Sequence, residues 1–219
     1  MCTWHAPIWW AATWACTAAP RTVKRMATKP HTDASHWPLG WHPTARVQAS
    51  AHHQARSHAG GVSLVVLHSI SLPPGRYGNG AVTALFTHRL DPDAHPSFAA
   101  LHGLRVSAHF VVWRDGALTQ FVSTERAAWH AGVSTWRGRI GCNDFSIGIE
   151  LEGLEGRRFT ADQYRTLLPL LRQLCGQYPI AAVVGHEHVA PGRKHDPGAG
   201  FAWGKLASLE RDFGVTLTV

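Results

Sequence analysis

Two histidines and one aspartate each sit at the end of a strand-like run or in a turn beside one. His68 closes the apolar run Leu64-Val-Val-Leu-His68, and His186 closes Ala182-Val-Val-Gly-His186. Asp196 lies in Gly192-Arg-Lys-His-Asp-Pro-Gly198, a loop shaped by Pro197 and Gly198. A polar side chain at the lip of a buried strand points into a cleft from a rigid base. Two imidazoles and one carboxylate form a three-ligand set for catalytic zinc, with a fourth position left for water. Zinc in such a site polarises a bound carbonyl or phosphoryl oxygen and lowers the pKa of water towards about 7. Spacing alone does not single out this triple, because the chain carries 16 histidines. Each of the three taken singly also reads as a hydrogen-bonded structural residue.

These side chains need a scaffold. Ser63–His68 follows a glycine pair and reads as a buried strand. Pro73-Pro74-Gly75 forces a turn, and residues 80–89 have helical spacing through Val82, Leu85 and Phe86. Arg105–Trp113 is strand-like, Asp115-Gly116 is a hairpin turn, and Leu118–Val122 returns. Phe145–Leu151 alternates Ile147, Ile149 and Leu151 with Ser146, Gly148 and Glu150, a strand with one polar side. Thr160-Ala-Asp-Gln163 is a capping-box pattern, followed by Tyr164, Leu167, Leu168, Leu171, Leu174 and Tyr178 at helical spacing. Pro169 conflicts with that helix, since a mid-helix proline costs about 3 kcal/mol or a kink. Ala181–Gly185 is a further short strand, and Phe201–Phe213 a last helix candidate. The interleaving predicts an α/β fold, a mixed central β-sheet flanked by helices.

The chain has 219 residues, 45% hydrophobic and 16% charged, which excludes a wholly disordered chain and a coiled coil. No apolar run is long enough to read as a membrane span. Residues 1–60 hold Arg21, Lys24, Arg25, Lys29, Arg46 and Arg56 against the single acid Asp33. This basic excess reads as a solvated tail rather than a nucleic-acid surface, which would need basic residues clustered on a folded face. Residues 27–60 read as loop with little regular structure. The tryptophan-rich stretch 1–25 lacks the charged start of a signal peptide and reads as an unstructured extension, with Met26 an alternative start. The four cysteines contain no C-x-x-C pair, so a reducing compartment is the plainer reading.

Five segments then carry a resemblance: Leu67–Gly75, Leu104–His109, Ala128–Gly132, Cys142–Gly153 and Gly185–Gly198. In that order they closely resemble the AmpD-type 1,6-anhydro-N-acetylmuramoyl-L-alanine amidases, a zinc amidase family related to peptidoglycan recognition proteins. The resemblance spans about residues 38–213. It implies a peptidoglycan-recognition/zinc amidase-like domain over 38–219, after an extension over 1–37. It implies zinc ligands at His68, His186 and Asp196, a catalytic acid/base at Glu150, and a charge-stabilising lysine at Lys194. Read alone, Glu150 is also a surface carboxylate and Lys194 a solvated loop charge.

Substrate contacts are implied at Arg105, Ser69, Trp129 and Arg139, and pocket-lining places for His109 and His130. Two positions depart from the family pattern. Ser69 stands where asparagine is common, and Gly141 where an arginine can occur, with Arg139 two residues earlier able to compensate. The implied activity is zinc-dependent hydrolysis of the lactyl–L-Ala amide of small soluble anhydro-muropeptides in cell-wall recycling. A cytoplasmic monomer is expected, with no nucleic-acid or membrane partner. The competing readings are a non-catalytic peptidoglycan-binding module, an amidase acting on intact wall, and a nucleic-acid binder working through the basic tail.

Overall fold

The computed structural model of the protein describes residues 37–57 and 61–218. The expected extension up to residue 36, with Met26, lies outside the described residues. The regular elements in chain order are β1 (Arg46–Val47), β2 (His53–Ala55), β3 (Leu64–Ile70), α1 (Ala81–Phe86), β4 (Phe110–Val112), β5 (Leu118–Gln120), β6 (Arg126–Ala128), β7 (Thr135–Trp136), β8 (Arg139–Ile140), β9 (Ser146–Glu152), α2 (Ala161–Gln177), β10 (Ala182–Gly185), α3 (His186–Val189), α4 (Ala207–Phe213) and β11 (Thr216–Leu217). Seven strands form one sheet in the order β1-β5-β4-β9-β3-β10-β11. Only the β4–β5 hairpin is antiparallel, so the sheet is mixed, as the sequence predicts.

The period-two alternation of the strands divides the core. Val65 and Leu67 of β3 and Ile147, Ile149 and Leu151 of β9 pack with Leu167, Leu171 and Leu174 of α2 and Leu209 of α4. Each such buried side chain contributes roughly 1.5–3 kcal/mol. Leu64 and Val66 face the opposite way, towards Phe145, Val184 and Val189. His68 continues that second face. A third cluster gathers α1 with Val111 and Phe121.

The capping box at the start of α2 forms as expected. Thr160 Oγ1 accepts from the Gln163 N–H at 3.2 Å, and Gln163 Oε1 accepts from the Thr160 N–H at 3.0 Å. The Gln163 amide also donates to the carbonyls of Val112 and Glu152, tying the helix start to the ends of β4 and β9. Pro169 does not end the helix. It lies on the exposed face, and the carbonyl it deprives of a partner belongs to the exposed Arg165.

Three expectations are corrected. The strand expected over Arg105–Trp113 is regular only from Phe110 to Val112. Just before it, the His109 ring takes the Gly148 N–H that a strand neighbour would use. The last helix begins as a 3-10 turn at Trp203–Leu206 and becomes α-helical only at Ala207. The polar side of β9 does not face solvent, because all seven residues of that strand are buried.

The stretch before β3 is also more structured than its composition suggests. Trp37, placed in the extension by the sequence, is a core residue edge-on to Phe110. Arg56, counted in the basic tail, donates to the carbonyls of Thr124, Asn143, Asp144 and Ser146. Burial lowers its pKa to about 10, opposed by Tyr178 and Asp144, so it stays protonated at neutral pH. Arg56→Met strips several part-buried carbonyls of their donor. It is expected to cost at least about 3 kcal/mol, read as a lower urea unfolding midpoint. Among the described residues no helix is long and apolar enough to cross a membrane.

Candidate active site

Register brings the site together. In the parallel pairing of β3 with β9, His68 lies beside Glu150. In the pairing of β3 with β10, Leu67 lies beside Gly185, so His186 is the first residue past the end of β10. The carboxyl ends of parallel strands are where open α/β sheets place their ligands. Asp196 arrives on the loop after α3, held where its carbonyl accepts from the Glu187 N–H at 3.0 Å. The Arg193 guanidinium anchors the same loop, donating to the carbonyls of Ala131 and Val133, both at 2.7 Å.

Three ligand atoms converge. His68 Nδ1 is 3.0 Å from His186 Nδ1, and each is 3.2 Å from Asp196 Oδ2. Ligands held at about 2.0–2.2 Å by a tetrahedral ion stand roughly 3.3–3.5 Å apart. The triangle is of that size, and the three residues form a group that could hold a metal ion. His186 Nε2 faces the Ala131 carbonyl at 3.2 Å. That carbonyl can only accept, so Nε2 carries the hydrogen and Nδ1 presents a lone pair to the cluster.

The electrostatics suit a cation. Burial is the main force lowering the His68 pKa to about 4, helped by His186 and Lys194 and opposed by Asp196, so the ring is neutral at pH 7. Burial pushes the Asp196 carboxyl up, but the His186 and His68 rings facing its Oδ2 outweigh it and hold the group well below the usual range. Glu150 behaves oppositely. Burial and then the Asp196 charge push its pKa well up, against the pull of Lys194. Glu150 is 8% exposed, and its Oε2 has no hydrogen-bond partner. A buried carboxyl of this kind holds a proton more tightly than an exposed one, which suits a general acid/base.

The family profile for N-acetylmuramoyl-L-alanine amidase matches residues 39–199. The chain belongs to that family. It is 48% identical over 172 residues to the 1,6-anhydro-N-acetylmuramyl-L-alanine amidase AmpD of Salmonella typhimurium (strain SL1344), covering 78% of this chain and 92% of that relative. Among solved structures, a selenomethionine AmpD derivative matches with a TM-score of 0.76 at 46% identity, over 82% of this chain and 98% of that one. AmiD from Escherichia coli, in complex with the substrate anhydro-N-acetylmuramic acid-L-Ala-D-gamma-Glu-L-Lys, matches with a TM-score of 0.51 at 30% identity. That match covers 74% of this chain and 61% of the AmiD chain.

Within this amidase fold the other expected site residues are distributed unevenly. Ser69, Lys194 and Asp196 line one cleft of about 370 Å³, together with Gly153, Leu154 and Arg193. Ser69 Oγ is buried there without a partner. The exposed Lys194 is near enough for its charge to act on both Glu150 and His68. Arg105 is exposed and is not among the residues lining that cleft. Trp129 is engaged elsewhere, stacked on His52 and donating to Gln54. Arg139 lies over the Phe145 ring, 3.9 Å from its centroid. His109 does not line the cleft but is a core residue bridging Gly148 and Arg126.

The sequence reading missed Arg193 and Asn143. Asn143 Oδ1 accepts from the N–H groups of His130 and Ala131, at 3.1 and 2.8 Å. Both residues lie inside the segments that carry the resemblance, one and two positions from expected site or motif residues, which was the available signal.

Proposed function

We propose that this chain is a zinc-dependent amidase that hydrolyses the lactyl–L-Ala amide of soluble 1,6-anhydro-muropeptides in cell-wall recycling. In this reading it works as a cytoplasmic monomer. The reading rests on one observation above others: two imidazoles, each turning Nδ1 inward, and a carboxylate converge beside a buried glutamate whose Oε2 has no partner. The donor set, two nitrogens and one oxygen, suits zinc with one position open. The ligand named for the AmiD complex and the identity to AmpD support this substrate class.

His68, His186 and Asp196 would hold the ion, which supplies Lewis acidity to the amide carbonyl and acidity to water. The protein's own groups do the rest. Glu150, with its raised proton affinity, takes the proton of the attacking water and delivers it to the departing L-Ala nitrogen. Lys194, at the cleft mouth, offsets negative charge developing on the carbonyl oxygen. Lys194→Ala is expected to lower kcat about 100-fold with zinc content unchanged, read by steady-state kinetics and metal analysis.

The reading as a whole is tested by incubating the protein with zinc, or with a chelator, and two substrates. Cleavage of the soluble anhydro-muropeptide that the chelator abolishes is expected, with little release from polymeric peptidoglycan. Stoichiometric zinc with no turnover of either substrate would make the chain a binding module. Faster release from intact wall would move its substrate to the polymer.

A further inference from the structure

We infer that His130 and Ser146 are positioning residues that fix which nitrogen of His68 is free to bind the metal. The inference rests on the zinc reading above. It is drawn from the direction of a hydrogen-bond chain and involves no change in charge.

The chain is anchored at its far end. The Cys142 carbonyl can only accept, and Ser146 Oγ stands 2.6 Å from it, so the hydroxyl hydrogen points there. The hydroxyl is left with lone pairs for His130 Nε2, 3.1 Å away, so that nitrogen carries the ring hydrogen. A neutral imidazole has one N–H. His130 Nδ1 is therefore bare and accepts from His68 Nε2 at 2.9 Å. The hydrogen of His68 is thus placed on Nε2, and Nδ1 is left bare towards His186 and Asp196.

The second ligand histidine is set in the same sense. His186 Nε2 donates to the Ala131 carbonyl directly, whereas His68 reaches the Cys142 carbonyl through two side chains. Both lines end on a main-chain acceptor that cannot reverse. Outer partners of this kind orient ligand imidazoles and raise their basicity.

The surroundings hold the relay in place. Asn143 Oδ1 caps the backbone at His130 and Ala131. The His130 ring lies where a Cβ on Gly148 would overlap its Cγ, so β9 admits the ring only because residue 148 is glycine. The ring meets His68 edge-on, at 5.0 Å between centroids and 84° between planes. A substrate-contacting role for His130 would require none of this directionality.

The direct test uses metal-free wild-type protein labelled with ¹⁵N-histidine. Long-range ¹H–¹⁵N correlation spectra are expected to show His68 and His130 both as Nε2–H tautomers. Ser146→Ala removes the acceptor for His130 Nε2 and is expected to weaken zinc binding about 10–100-fold in competition with a chromophoric chelator. Ser146→Thr, which keeps the hydroxyl, is expected to restore most of that affinity. An Nδ1–H tautomer on either ring in the wild type, or Ser146→Ala with wild-type zinc affinity, would overturn the inference. A wild type that takes up no zinc while showing both Nε2–H tautomers would instead overturn the zinc reading, because ring polarity is read without metal.

Discussion

Asp196→Ala is expected to yield a folded protein without bound zinc and with amidase turnover at background. Asp196 is the one anionic group among the three candidate ligands, and its Oδ2 is 3.2 Å from both imidazole Nδ1 atoms. Without it two imidazole rings remain, one ligand short of the three protein donors of a catalytic zinc site. The fold should tolerate the loss. The side chain is on a loop, adds nothing to the apolar clusters, and leaves the Glu187 N–H to Asp196 carbonyl bond in place. Asp196→Asn separates charge from shape: if charge holds the ion, it should bind zinc far more weakly than wild type. Metal content by mass spectrometry, circular dichroism and muropeptide cleavage check all three statements. An Asp196→Ala protein that retains one zinc per chain and turns over would remove this residue from the ligand set.

Glu150→Gln should separate metal binding from turnover. The carboxyl is not one of the three candidate ligands, so zinc content should match the wild type. Loss of the general acid/base is expected to lower kcat about 10²–10⁴-fold. The same change should stabilise the metal-free protein, because a buried carboxyl with an unpartnered oxygen opposes folding when ionised.

The sign follows from proton counting. Burial and Asp196 raise the folded-state pKa above the ordinary value of 4.5, so the folded state binds more protons than the unfolded chain above that pH. Wild-type stability therefore falls relative to Glu150→Gln as pH rises from about 4.5 towards the folded pKa. The two metal-free proteins should melt together near pH 4, and the variant should melt higher at pH 8, by about 1–3 kcal/mol of unfolding free energy. Melting curves across that range decide it. An equally active Glu150→Gln protein would end the proton-transfer role.

Removal of a group that destabilises the resting fold while abolishing turnover is the pattern expected of a catalytic side chain. Arg56 is the contrasting case. It is half-buried, charged and donates to four main-chain carbonyls, so its loss should lower stability with no compensating gain.

The readable part of this fold is what local chemistry encodes. The capping box at Thr160 and the shared face of Ile147, Ile149 and Leu151 follow from neighbours a few residues apart, and both form. The sequence misjudges Arg105–Trp113 because the His109 side chain competes with the backbone for the Gly148 N–H, a partner 39 positions away. Arg56 is misread for the same kind of reason. Nothing near it in the chain announces that carbonyls up to 90 positions away will surround it.

By itself the sequence determined the candidate donors, their places at strand ends, and the segments that mark the family, because residue type and local period are properties of the chain alone. Tertiary structure decided the rest. His186 and Asp196 lie 118 and 128 positions from His68, yet parallel register and one anchored loop bring all three within 3.2 Å. The neutral state of His68, the raised proton affinity of Glu150 and the direction of the Ser146–His130 chain exist only after that assembly. Each depends on excluded water and on donors and acceptors supplied by remote segments, and no one-dimensional pattern carries that information.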